Sequence, residues 1–104
     1  MNASSPCTVI LTGTLKPGAQ TFPEFQDYAQ RSAANGEANG GKVLGKYLIS
    51  ENLGQGSTPT VVFVVEFPSQ EIARGTFTND EYTSIIPLRD KVFDEVKILI
   101  GDVE

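Results

Sequence analysis

Residues 61–70, VVFVVEFPSQ, decide how this chain is read. From Val61 to Phe67 every residue but Glu66 is β-branched or aromatic, which marks a strand. Pro68-Ser69 ends it, because proline lacks the amide that a ladder needs and serine is a preferred helix N-cap. Strand alternation puts Val61, Phe63, Val65 and Phe67 on one face and Val62, Val64 and Glu66 on the other. Both faces are apolar for most of their length. An antiparallel sheet with helices on one side and water on the other alternates apolar with polar, so this strand needs cover on both sides.

Outward from it, CTVILTGTL (7–15) reads as a strand, with Val9, Leu11 and Leu15 against Thr8, Thr12 and Thr14. Lys16-Pro17-Gly18 turns the chain. Thr21 and Glu24 have the spacing of a capping box, and the helix they predict lines up Phe22, Phe25, Ala29 and Ala33, with Tyr28 beside them. Asn35-Gly36 is its expected end, followed by a glycine-rich loop. KVLGKYLIS (42–50) predicts a second strand, with Val43, Tyr47 and Ile49 on one face and Lys42, Leu44, Lys46 and Leu48 on the other. LGQGSTP (53–59) is a reversal, and Thr60–Phe67 is the third strand. Ser69 caps a short helix with Ile72, Ala73 and Phe77. Asn79-Asp80 opens a further helical piece through Tyr82, Ile85 and Ile86, expected to break or restart at Pro87 and to run past Val92 and Phe93. EVKILIGDV (95–103) is the last strand.

The order is βαββαβ, without repeat or linker, so residues 1–104 form one domain. It predicts a ferredoxin-like α+β fold: a four-stranded antiparallel sheet in the order 4-1-3-2 with its helices on one face. Nothing else in the chain is left to cover the second face. A second copy of the sheet is the economical cover, which predicts a symmetric homodimer closing into an α+β barrel.

Composition narrows the function. The net charge is −5, and residues 53–104 carry nine acids against four bases. Nucleic-acid binding needs a basic face for phosphate, so no nucleic-acid partner is expected. There is no histidine and a single cysteine, Cys7. No intrachain disulfide can form, the commonest metal ligand and neutral-pH base are missing, and neither a metal nor another cofactor is expected. The start, MNASSPC, lacks a basic, apolar leader, and no segment approaches the ~20 apolar residues of a membrane span. A cytoplasmic protein is expected, in which the Asn2-Ala3-Ser4 sequon has no consequence.

Two motifs fail on mechanism. Gly36 to Lys42 has most of a phosphate loop, but it runs from helix to strand and Val43 stands where a magnesium-holding hydroxyl belongs, so it reads as a turn. The βαββαβ order also suits an RNA-recognition module, yet Phe63 and Phe67 are four apart on a strand without Lys or Arg. Four residues can carry chemistry. Glu66, polar on an apolar face, is either a structural carboxylate at a dimer rim, paired with Arg89, Lys46 or Arg74, or a general base whose pKa burial raises. Arg89 either forks onto a ligand carboxylate or ties a helix to Glu66. Tyr28 and Tyr82 lie beside apolar stripes, as buried tyrosines with partnered hydroxyls or as donors to a ligand. Tyr47 reads similarly, and Lys42 with Lys46 reads as a solvated strand end.

Glu66-Phe67-Pro68-Ser69, Glu71, Ala73-Arg74, Phe77, Glu81-Tyr82 and Leu88-Arg89 follow one another as in a known pattern, and Gly40-Gly41-Lys42 opens the second strand as that pattern does. The segment resembles the bacterial family called domain of unknown function 1330, of the dimeric α+β-barrel superfamily. The likeness is specific over the C-terminal forty residues or so and weaker upstream. It departs at Thr76, where the family commonly has Trp, and at Lys46-Tyr47-Leu48, where it has Arg-Gly-Gly, so a site built on those groups is reshaped here. The resemblance implies fold and dimer more than activity. The superfamily also holds cofactor-free monooxygenases, isomerases and haem-handling enzymes, an analogy of fold alone.

The leading expectation is a small, partly apolar organic ligand held between sheet and helices, with Tyr28, Tyr82 and Arg89 as its polar contacts. One alternative is a cofactor-independent isomerase or monooxygenase using Glu66 as general base while a Tyr or Arg steadies the oxyanion. The other is an assembly module without ligand.

Overall fold

Strand Cys7–Leu15 (β1) runs down the middle of a four-stranded antiparallel sheet, between Val61–Phe67 (β3) and Phe93–Gly101 (β4), and Lys42–Leu48 (β2) forms the edge beyond β3. The order β2-β3-β1-β4 is the ferredoxin-like one. The helices Pro23–Ala38 (α1), Gln70–Thr76 (α2) and Asp80–Val92 (α3) all belong to a single layer on one side. This computed structural model describes residues 5–103, so the Asn2-Ala3-Ser4 sequon lies outside the described residues. Its shortest dimension, 18 Å, is that of two layers.

Two apolar clusters join the layers. Cys7, Val9, Val65 and Phe67 pack beneath Ala73 of α2, and Val61 and Phe93 pack with Val92 and Ala19 at the other end. Helix α1 packs chiefly on α3 rather than on the sheet. Gly13 makes room for the Phe93 ring, which a Cβ there would strike.

Helix ends follow local chemistry. Ser69 Oγ accepts from Ile72 N at 3.1 Å, and Asn79 Oδ1 accepts from Tyr82 N at 2.7 Å. The expected capping box at Thr21 does not form. The Thr21 hydroxyl instead donates to Gly18 O at 2.8 Å in a 3-10 turn, and Pro23 opens the helix behind Phe22. Nor does α1 stop at Asn35-Gly36. The Asn35 side chain is buried in tertiary bonds, donating to Thr76 O at 2.9 Å and accepting from the Asn79 amide at 2.9 Å. The helix runs on to Ala38, and Gly40, at φ 85°, makes the left-handed reversal. Pro87 does not break α3. The carbonyl it leaves unbonded is four residues back, at Thr83, and both residues face water, which satisfies that group. The last strand begins two residues before its expected start, at Phe93.

The second strand departs most from expectation. Val43 pairs with Val65, but Gly45 pairs with Val64, so Leu44 is an extra residue on β2. Such a bulge inverts the alternation beyond it. Lys46 and Leu48, opposite Phe63 and Val61, therefore belong to the helix side with Val43, while Tyr47, opposite Val62, belongs to the far side with Lys42. The two lysines are on opposite faces, not together on one solvated end. Tyr47 folds over Gly45, where a Cβ would strike its hydroxyl and the adjoining edge of its ring.

Candidate functional site

Because α1 leans on α3, the space between α1 and the edge of the sheet stays open. It forms a cleft of about 590 Å³ with Phe25, Ala29 and Ala33 of α1 above and Leu11, Phe63 and Val65 of the sheet below. The small side chains of Ala29 and Ala33 leave the roof high, and both remain exposed. The size is in the range that holds small organic ligands, and the floor is apolar.

Tyr28 forms the inner wall. Its ring stands edge-on to Phe93, 5.8 Å between centroids. Its hydroxyl lies 3.0 Å from the Tyr82 hydroxyl, and that oxygen accepts from Arg89 Nη1 at 3.3 Å. Arg89 also covers the Tyr82 ring, 5.8 Å from its centroid, and its Nε donates to Asp90 Oδ1 at 3.1 Å. Either hydroxyl can donate in this pair; where Tyr82 donates, the Tyr28 proton is free for Ser32, one turn along α1, or for a group in the cleft. Burial, and next the Tyr82 hydroxyl, push the Tyr28 phenol above its ordinary range, so it stays a neutral donor. Burial opposes the Arg89 charge, yet Tyr82 and then Asp90 hold its pKa above the ordinary value.

Of the expected ligand contacts, Tyr28, Tyr82 and Arg89 come together, but only Tyr28 borders the cleft. Tyr82 is 1% exposed and backs Tyr28, with Phe77 edge-on to it at 5.4 Å. Glu66 is elsewhere. Its neighbours across the sheet are Thr8 and Lys42, on the face away from the helices. Lys46 and Ser32, which also border the cleft, were missed by spacing alone. Gly45 inside a strand was the available sign of the bulge that turns Lys46 inward.

The far face carries Ile10, Val62, Val64, Tyr47 and Leu99 in adjacent rows, with Ile10 39%, Leu99 50% and Tyr47 53% exposed. Thr8, Thr12 and Thr14 of β1 lie among them, Lys97 flanks the row of Val62 and Tyr47, and Lys42, Glu66 and Glu95 mark the ends. Among the described residues there is no cluster of three or more metal-ligating side chains and no helix long and apolar enough to cross a membrane.

Solved structures share the fold at low identity. A protein of unknown function from Rhodopseudomonas palustris, RPA0582, superposes with a TM-score of 0.79 at 18% identity, covering 97% of this chain and 84% of that one. SnoaB, a cofactor-independent oxygenase from Streptomyces nogalater, does so at 0.67 and 12% identity, covering 97% and 95%. A dimeric protein of unknown function with a ferredoxin-like fold from Bacteroides fragilis gives 0.55 at 12% identity, covering 94% and 96%. No curated protein matches. Residues 19–103 match the family described as Domain of unknown function (DUF1330), and the chain belongs to that family.

Proposed function

We propose that this protein is a homodimer that binds a small, partly apolar organic molecule between α1 and the sheet. The observation that carries this is the Tyr28 hydroxyl, kept neutral chiefly by burial and next by Tyr82 at the inner wall of an apolar cleft. A lone aromatic floor would take any apolar molecule. An oriented hydroxyl adds one hydrogen bond to a carbonyl or hydroxyl and so selects among them. In this arrangement Tyr28 is the direct contact, and Tyr82 and Arg89 are the groups that position it.

The dimer supplies the cover that the far face needs. Ile10, Val62, Val64 and Leu99 give it apolar area and its margins carry both signs of charge, as a self-complementary patch requires, and the B. fragilis neighbour is described as dimeric. Glu66 then lies at the rim, with Lys42 as its cross-strand neighbour. A cytoplasmic location fits a protein with one buried, unpaired cysteine.

A second reading, cofactor-independent catalysis, draws on the likeness to SnoaB. In it Tyr28 would donate to the developing oxyanion of a substrate in the cleft, whereas Glu66, proposed from sequence as general base, lies on the opposite face of the sheet and could act only on a substrate bound there. Native mass spectrometry of gently purified protein tests the proposal. Twice the chain mass with a non-covalent organic adduct, the adduct lost in Ala33→Trp while the dimer remains, is the expected result. A bare monomer, or an adduct that Ala33→Trp leaves in place, would refute it.

A further inference from the structure

The mouth of the cleft has a charge that its interior lacks. The extra residue at Leu44 turns Lys46 from the far face to the helix side, opposite Phe63 on the cleft floor. Among the described residues Lys46 has neither an ion-pair partner nor a hydrogen-bond partner. The other charged residues at the cleft are Lys42, whose register position belongs to the far face, and Glu37 of α1, which is not within ion-pair distance of Lys46. Edge strand β2 carries Lys46, while Tyr28 packs on Phe93 of β4. The cation and the hydroxyl thus occupy opposite ends of an apolar channel.

Resting on the cleft as a ligand site, we propose that its ligand is an elongated organic anion. Its acid group meets the Lys46 ammonium at the mouth, its apolar body lies over Phe63 beneath Ala29 and Ala33, and a carbonyl or hydroxyl at its far end accepts from Tyr28. A neutral apolar molecule would leave the ammonium unused, and a cation would have to pass it. The bulge supplies the geometric reason that this charge reaches the cleft at all. Were Leu44 paired in regular alternation, Lys46 would have the register of the sheet's other face, as Lys42 does.

Two fluorescent probes with one aromatic body separate charge from shape: anilinonaphthalene sulfonate, which is anionic, and phenylnaphthylamine, which lacks the sulfonate. Both are titrated into the full chain and into Lys46→Met, Lys97→Met and Ala33→Trp. The expected result is that Ala33→Trp abolishes binding of both. Lys46→Met weakens the sulfonate about tenfold, as loss of one partly desolvated ion pair does, and changes the neutral probe less than about twofold. Lys97→Met, an exposed lysine outside the cleft, leaves the sulfonate within about threefold, and added salt weakens only the sulfonate. Lys46 is exposed, so its variant folds, and Lys46→Glu must weaken the sulfonate further.

If the neutral probe occupies the cleft but the sulfonate binds no better, or ignores Lys46→Met, the anion proposal is overturned while the cleft stands. If neither probe binds, or both ignore Ala33→Trp, the cleft itself is refuted as a ligand site, and the anion proposal with it.

Discussion

The Tyr28 and Tyr82 hydroxyls meet at 3.0 Å across the packing of α1 on α3, Tyr82 shielded and Tyr28 at the wall of the cleft. The pair has a consequence for pH. A phenol whose pKa is raised on folding binds its proton more tightly in the native than in the unfolded chain. Stability is therefore full below its ordinary value of 10.0 and falls as pH rises through and above it. Unfolding free energy should drop by up to about 1.4 kcal/mol per pH unit in that window, and Tyr28→Phe should remove this component of the slope. Urea titrations at several alkaline pH values check it, and equal slopes in the two proteins would count against the buried pair.

Arg89 acts on the cleft through Tyr82. Arg89→Met leaves the Tyr82 oxygen without its cationic donor and should cost about 1.5–3 kcal/mol of stability. It should also change the affinity of a Tyr28-contacting ligand while touching no part of the cleft. A double-mutant cycle with Tyr28→Phe, read by phenylnaphthylamine binding, should show non-additive effects, and strict additivity would separate Arg89 from the wall.

Asn35 ties α1 to the junction of α2 and α3. Its amide donates to Thr76 O, and its oxygen accepts from Asn79 at 2.9 Å and Asn39 at 3.3 Å. Asn35→Ala strips partners from several buried groups at once and should cost about 2–3 kcal/mol in urea unfolding. A cost below about 0.5 kcal/mol, the range of ordinary surface changes, would show the hub to be idle.

Deleting Leu44 should be tolerated, although it lies inside a strand. It joins the Val43–Val65 and Gly45–Val64 pairs directly and leaves every other pairing of β2 as it is. We expect folded protein of unchanged circular dichroism within about 1 kcal/mol of the parent, since the change falls on an exposed edge. Loss of the fold would mean that the bulge is structurally required.

Val64→Lys places a charge at the centre of the far face, beside Ile10 and in the row of Leu99. Burying an unpaired ammonium there should dissociate the proposed dimer, read as a halved mass in sedimentation, while the monomer stays folded. An unchanged sedimentation coefficient would place any interface elsewhere.

The fold was legible because its signals are local and consistent. Ser69 is the cap that the sequence predicted, Asn79-Asp80 opens the next helix as expected, and β1 and β3 hold their expected faces. The misreadings arose where a side chain had two uses. Asn35 looked like a helix stop but serves two tertiary bonds and one to the end of its own helix, and Thr21 looked like a cap but closes a turn. Period-two counting cannot see an inserted residue, so the bulge at Leu44 hid the side to which Lys46 belongs. Tyr28, Tyr82 and Arg89 lie in contact, yet spacing gives no depth, and only the packing of α1 on α3 shows which of them borders open space. Glu66 stood out for its polarity among apolar neighbours, a property that a dimer rim and a catalytic base share.

The central claim is that ligand enters between α1 and the sheet. Amide-resolved nuclear magnetic resonance with phenylnaphthylamine titrated into the full chain tests it most directly. Saturable shifts confined to the surroundings of Tyr28, Ser32, Ala33 and Phe63 are predicted, with Ile10, Val62 and Leu99 unmoved. Shifts centred on Ile10, Val62 and Leu99 instead, or none at all, would contradict it.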